Sequence, residues 1–123
     1  MAELVPIMRM GDNLLVMLQG DLQDATVEEI EREVTREVSR TSARGVLIDV
    51  SGLSTVDSFV ARIISRIVAM IRLLGADATI VGVQPAVAIT LVELGVPLRH
   101  VDTALTAEQG MARLRGRRDE YVH

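Results

Sequence analysis

The chain has 123 residues, of which 49% are hydrophobic and 2% aromatic, and its formal net charge is −4. This size and apolar content predict one folded domain with an aliphatic core and exclude a disordered chain. The acidic balance argues against duplex nucleic acid as a partner, and the absence of cysteine excludes disulfides and thiolate metal sites.

The N-terminal segment predicts a β-hairpin. Residues 5–10 (VPIMRM) and 14–18 (LLVML) are typical of short strands, and the Gly-Asp-Asn sequence between them is typical of a tight turn. We expect Met8, Met10 and Met17 to lie in the core, although flexible methionines can also form an adaptable interface.

Residues 24–45 predict a surface helix, and a buried strand is predicted directly after them. Apolar residues recur there at helical spacing, namely Val27, Ile30, Val34 and Val38. Asp24 or Thr26 can cap the start of this helix. The next segment, VLIDV at 46–50, is continuously apolar except for one acid, as expected of a central strand.

A second helix is predicted from the wide apolar face that residues 59–74 form. Its members are Phe59, Val60, Ile63, Ile64, Ile67, Val68, Ile71 and Leu74. Gly75 is expected to end the helix, and residues 78–83 (ATIVGV) predict a third buried strand.

The last third of the chain predicts two more helices and one short strand. Pro85 suits the first turn of a helix that extends to Gly95, and residues 98–101 can form the strand. The final helix can be capped by Thr103 or Thr106.

The predicted order is β-β-α-β-α-β-α-β-α, which indicates an α/β domain with helices packed on a mixed, mostly parallel sheet of four to five strands. We expect the domain to cover residues 1–116, and residues 117–123 to form a frayed tail. No apolar run is long enough for a membrane span and no signal peptide is indicated, so we expect a cytoplasmic protein that does not enter a membrane.

Catalytic and metal-binding patterns are absent from the sequence, which contains no phosphate-binding loop, no GxGxxG and no metal-ligand spacing. Neither His100 nor His123 has the partners of a serine-histidine-aspartate site. Asp49 lies late in a strand, as in receiver domains, but the acidic pair and the lysine that those domains need are missing. We therefore expect neither an enzyme nor a cofactor.

The dipeptide Asp57-Ser58 stands where the second helix begins. The simplest interpretation of the residues alone is a helix cap, because Asp and Ser accept bonds from unpaired helix amides. If Asp57 is the cap, Ser58 lies near the surface at the positive end of the helix, with Arg62 four residues further on. A phosphate on Ser58 would be tolerated there and would add roughly −1.5 to −2 charges.

Two segments carry a resemblance to a known family: IDVSGLSTVDSF at 48–59 and GVQPAVAITLVELG at 82–95. Together they resemble the STAS family, the domain of sulfate transporters and anti-sigma antagonists. Phe59 stands where anti-anti-sigma factors typically have a second serine, in the pattern DSSG. This difference makes the chain similar to the small stressosome antagonists of the RsbS type.

The resemblance implies a non-enzymatic scaffold of bacterial stress signalling whose phosphorylated residue is Ser58, in an environment formed by Asp57, Phe59 and Arg62. Its implied partners are a switch kinase of the histidine-kinase ATPase superfold, STAS paralogues with sensor domains, and a second copy in a homodimer. These proteins form a large assembly, which releases the kinase when the serine is phosphorylated.

Two other functions are compatible with this sequence. One is an anti-anti-sigma factor that binds an anti-sigma kinase one-to-one. The other is a STAS module that binds a small ligand such as a nucleotide or a lipid.

Overall fold

The computed structural model describes the chain over residues 5–20, 27–53, 56–95, 102–104 and 107–122. Within these residues the elements follow the predicted order, which confirms the α/β class. Their bounds are β1 (Ile7–Met10), β2 (Asn13–Gly20), α1 (Val27–Thr41), β3 (Gly45–Leu53), α2 (Ser58–Leu73), β4 (Asp77–Val81), α3 (Pro85–Glu93), β5 (Asp102–Ala104) and α4 (Ala107–Val122).

The five described strands form one sheet in the spatial order β1-β2-β3-β4-β5. The β1–β2 pair is antiparallel and is joined by the two-residue turn Gly11-Asp12, whereas the remaining pairs are parallel. Gly11 has φ +63°, a conformation that glycine adopts without steric cost. Because the carboxyl ends of β2, β3 and β4 lie at the same edge, the segments that follow β3 and β4 leave the sheet side by side.

One face of the sheet carries the main core, which lies between the strands and helices α1 and α2. Its fully buried members include Val16, Leu18, Ile30, Ile48, Ile64, Ile67, Ile71, Ile80 and Leu91. The helical periodicity explains this packing, because the apolar side chains of α2 recur every three or four residues. The two helices are also joined by an ion pair between Arg66 and Glu31.

The opposite face of the sheet is covered by α4. A smaller cluster there consists of Leu15, Leu47, Val81 and Leu114, with Met10, Met17 and Met111 half-buried around it. Met8 is 51% exposed, so the prediction that places this methionine in the core is wrong. Met10 and Met17 do pack against buried residues.

Helix α2 ends as the sequence predicts. Gly75 has φ +87°, its N–H bonds to the carbonyl of Arg72, and the Ala76 N–H bonds to the carbonyl of Ile71. This pair of bonds is the Schellman arrangement, which satisfies carbonyls that the helix leaves unpaired. Leu74, expected on the buried face, is the C-cap residue and is 44% exposed.

The C-terminal third departs most from the expectations. The described strand β5 is Asp102–Ala104, whereas the predicted strand at 98–101 lies outside the described residues. Thr103 belongs to β5 and therefore does not cap α4, and Thr106, like Asp24 and Thr26, lies outside the described residues. The backbone of α4 continues to Val122, and the domain boundary at residue 116 stays a prediction.

None of the helices in the described part of the chain combines the length and the apolar content needed to cross a membrane.

Candidate functional site

Asp57 is the N-cap of α2. Its backbone is extended, with φ −122° and ψ −172°, and its Oδ1 accepts a hydrogen bond from the N–H of Val60 at 3.0 Å. Its carbonyl accepts the N–H of Ala61 at 2.9 Å. The aspartate therefore satisfies one of the amides that a helix leaves unpaired at its start.

Ser58 is the first residue of α2 and is exposed. The residues that follow turn inward: Phe59 is half-buried against the main core, and Val60 and Ala61 are buried. This pattern fixes the orientation of the first turn, because rotating the helix to bury Ser58 would expose apolar side chains. The serine is thus held at the surface by its neighbours.

Two features near Ser58 favour an anion, although the capping carboxylate of Asp57 is adjacent to it. Helix α2 is 16 residues long, so its N-terminus carries the positive end of a helix dipole, and its first turn contains no acidic residue. Arg62 is exposed one turn later and makes no hydrogen bond or ion pair with any residue that the structure describes.

Arg66, a further turn along α2, is already engaged. Its guanidinium donates to Glu31 of α1, and this hydrogen bond and the charge of Glu31 raise the pKa of Arg66 above its usual value. Of these two arginines, Arg62 is therefore the better placed to pair with a new negative charge near Ser58.

Ser58 lies in an open groove of about 310 Å³ between α2 and the C-terminal end of α3. The groove is lined by Ser58, Ala61, Arg62, Ser65, Arg66, Leu94 and Gly95. It brings together a hydroxyl, two guanidinium groups and one exposed leucine. Such a surface can bind a protein partner, and a phosphate added to Ser58 would lie within it.

The structure brings together the residues that the sequence singled out. Asp57, Ser58 and Arg62 lie on the first turns of α2, and Phe59 anchors that end of the helix on the core. His100 lies outside the described residues. Ser65 and Arg66 were not predicted, although helical spacing from Ser58 and Arg62 could have identified them. Leu94 and Gly95 were not predicted either, because only tertiary packing brings them to the groove.

Residues 6–108 match the STAS domain family, and the chain therefore belongs to this family. Among characterised relatives it is 32% identical over 107 residues to RsbT co-antagonist protein RsbRA of Bacillus subtilis (strain 168). It is also 30% identical over 108 residues to RsbT co-antagonist protein RsbRD of the same organism. The alignments cover 86% and 87% of this chain but only 39% of each relative, so the chain matches less than half of their length.

Solved structures agree with this assignment. The chain is similar to Moorella thermoacetica RsbS S58E, with 36% identity and a TM-score of 0.86 over 91% of this chain and 97% of that one. A chain from a structure of the stressosome, described as a signal integration and transduction hub, has 35% identity and a TM-score of 0.84, covering 90% and 96%. The resemblance to stressosome antagonists of the RsbS type is thus confirmed. The anti-sigma factor antagonist SpoIIAA, at 17% identity and TM-score 0.71, shares the fold.

Proposed function

We propose that this protein is a non-enzymatic regulatory scaffold of a partner-switching module, which binds a switch protein kinase and releases it when Ser58 is phosphorylated. The observation that carries the proposal is the exposure of Ser58 directly after a cap formed by a different side chain. Because Asp57 bonds the helix amide, the serine hydroxyl is available for modification without loss of the cap.

The fold tolerates a phosphate in this position. The phosphate would face the positive end of α2 and lie one turn from Arg62, so both the helix dipole and an ion pair would stabilise it. The Moorella RsbS S58E chain, in which glutamate replaces a serine, keeps a fold that superposes on this one with a TM-score of 0.86. A negative charge is therefore compatible with this architecture in a relative.

The same charge would act against a bound partner. Two exposed apolar side chains stand on α3, Ile89 at 60% and Val92 at 72%, and the end of that helix lines the groove beside Ser58. A kinase that covers both these two side chains and the groove would bury Ser58. Burial of an added dianion that lacks a partner on the kinase costs several kcal/mol, which is enough to release the kinase.

We further propose that the protein acts in a large cytoplasmic assembly with STAS paralogues that carry sensor domains, and that it forms a homodimer within it. The support is the similarity to RsbT co-antagonist proteins and to a chain of the stressosome. Analytical ultracentrifugation of the protein with its co-expressed paralogues distinguishes this assembly from a one-to-one antagonist. A megadalton particle supports the proposal, whereas a small complex with a single kinase contradicts it.

The proposed switch is tested by pulling down the cognate kinase with Ser58 variants. We expect Ser58→Ala to retain the kinase, and Ser58→Asp to lose it while circular dichroism stays unchanged. Ser39→Asp is the matched control and should retain the kinase, because Ser39 is an exposed serine of α1 that does not line this groove. Equal capture by Ser58→Ala and Ser58→Asp would refute release by charge.

A further inference from the structure

The pairing of β2 with β3 contains an irregularity close to the carboxyl end of the sheet. Met17 lies opposite Asp49, but Gln19, two residues on, lies opposite Gly52, three residues on. Strand β3 therefore has one extra residue, the defining feature of a β-bulge. A bulge interrupts the regular ladder of hydrogen bonds and changes the direction in which the strand continues.

The side chain of Asp49 stabilises this bulge. Its Oδ1 accepts the backbone N–H of Ser51 at 2.9 Å and the Ser51 hydroxyl at 2.7 Å. The carboxylate thus bonds a backbone group within the irregular segment and holds the serine side chain in one orientation. Neither Asp49 nor Ser51 has a part in the switch proposed for Ser58.

Gly82 lies where the bulge of β3 closely approaches the end of the neighbouring strand β4. It follows the last residue of β4 and has φ +75°. A Cβ on Gly82 would lie 2.8 Å from the Cβ of Ser51 and 2.9 Å from Oδ1 of Asp49. Both distances are shorter than a van der Waals contact, so this approach of two strand ends requires glycine.

The two segments that leave this point form the two sides of the groove. Strand β3 leads to α2, which begins at Ser58, and the segment after Gly82 leads to α3, whose end contributes Leu94. We infer that Asp49, Ser51 and Gly82 are positioning residues, which set the orientation of Ser58 relative to α3. The expected effect of these residues on phosphorylation of Ser58 rests on the proposed function, which this inference deepens.

The absence of cysteine from the natural chain permits a test that needs no kinase. Nitroxide labels on Arg62→Cys and Val92→Cys, both exposed, report the separation of α2 and α3 by electron paramagnetic resonance. We expect Gly82→Ala and Asp49→Ala to shift or broaden the interspin distance. Asp49→Asn keeps an acceptor oxygen and should restore the natural value.

Gly75→Ala is the matched control for backbone strain. Gly75 also has positive φ, but no heavy atom lies within 4 Å of its would-be Cβ, and it precedes β4 rather than following it. This variant should lose stability without changing the interspin distance. Should Gly82→Ala fail to fold, Ser51→Ala, which removes only the hydroxyl bond, provides the measurement in its place.

The functional measurement is the kcat/KM of the cognate kinase for Ser58 in chains without labels. We expect a loss of about 10- to 100-fold for Gly82→Ala and Asp49→Ala, since small misplacements of a reacting group have effects of this size. Natural rates and an unchanged interspin distance in both variants would overturn the inference. An altered distance in a chain whose natural form is never phosphorylated would support the positioning role and refute the switch.

Discussion

The carboxylate of Asp57 accepts the N–H of Val60 at 3.0 Å, and Ser58, which lies between them in the sequence, remains exposed. Asp57 therefore caps the helix, while the adjacent Ser58 is the exposed side chain. This separation allows stability and recognition to be altered independently.

Loss of the cap should destabilise the fold. We expect Asp57→Ala to lower the free energy of unfolding by about 0.5–2 kcal/mol, because an amide of the first turn loses its acceptor. Asp57→Asn, which keeps an acceptor, should cost less, and Ser58→Ala should stay within about 0.5 kcal/mol of the natural protein. Urea unfolding measures all three values. A greater loss for Ser58→Ala than for Asp57→Ala would contradict the assignment of the cap.

Arg62 should lower the second pKa of a phosphate on Ser58. A positive charge favours the dianion, so this pKa should fall below its ordinary value of about 6. In Arg62→Gln it should rise towards that value, as a phosphorus-31 NMR titration would show. Arg66→Gln is the control and should have a smaller effect, because Arg66 is paired with Glu31. The reverse ranking would exclude Arg62 as the main partner of the phosphate.

Gly110 should tolerate alanine poorly, although alanine is the better helix former. A Cβ there would lie 2.4 Å from Cδ2 of Leu47 and 2.8 Å from Cγ1 of Val81, so α4 would be pushed away from the sheet. We expect Gly110→Ala to cost about 1–3 kcal/mol in urea unfolding. At Ala112, which is exposed, the usual helical preference for alanine over glycine should hold, and Ala112→Gly should cost about 1 kcal/mol. Stabilisation by Gly110→Ala would contradict the close packing of α4.

The pair formed by Glu37 and Arg40 should stabilise α1 in a pH-dependent way. The hydrogen bond from Arg40, at 2.7 Å, lowers the pKa of Glu37 below its ordinary value of 4.5. A lowered carboxyl pKa contributes stability above the ordinary value, and this contribution is lost as the pH falls through the lowered value. Glu37→Gln should therefore be less stable than the natural protein at pH 7, and in urea unfolding the difference should shrink as the pH falls below 4.5. Arg40→Gln should show the same convergence, and a difference that persists in acid would exclude the ion pair as its cause.

The order of the elements could be predicted because it depends on local patterns. Period-two and period-3.6 spacing of apolar residues identify strands and helices, and Gly75 marks a helix end through the positive φ that it adopts. The cap at Asp57 could be predicted for the same reason, since capping involves residues only three apart.

Exposure was harder to predict, because an apolar residue is buried only where another element covers it. Leu74 and Val92 continue apolar patterns but are 44% and 72% exposed. Met8 has the strand position of a core residue, yet it lies on the first strand of the sheet and is 51% exposed. The sequence contains no signal for these differences, since each depends on whether another element covers the residue in the folded chain.

The contacts among Asp49, Ser51 and Gly82 could not be predicted either. They depend on a shift in strand register and on the close approach of two strand ends that are distant in sequence. From its place late in a strand, Asp49 could only be compared with the aspartate of receiver domains, a comparison that the missing acidic pair and lysine exclude. Its bonds to Ser51 assign it a structural part instead.

The unequal coverage of the two sheet faces should produce a hierarchy of local opening. Among the side chains of α4 that the structure describes, Leu114 is the large apolar one that is fully buried, whereas α2 buries seven residues. Among the side chains that the structure describes, α4 therefore buries fewer apolar residues than α2 does, and we expect its detachment to cost correspondingly less free energy. In native-state hydrogen exchange, the amides of α4 should exchange through fluctuations of that helix alone. Those in the middle of α2 should exchange only when the whole domain unfolds.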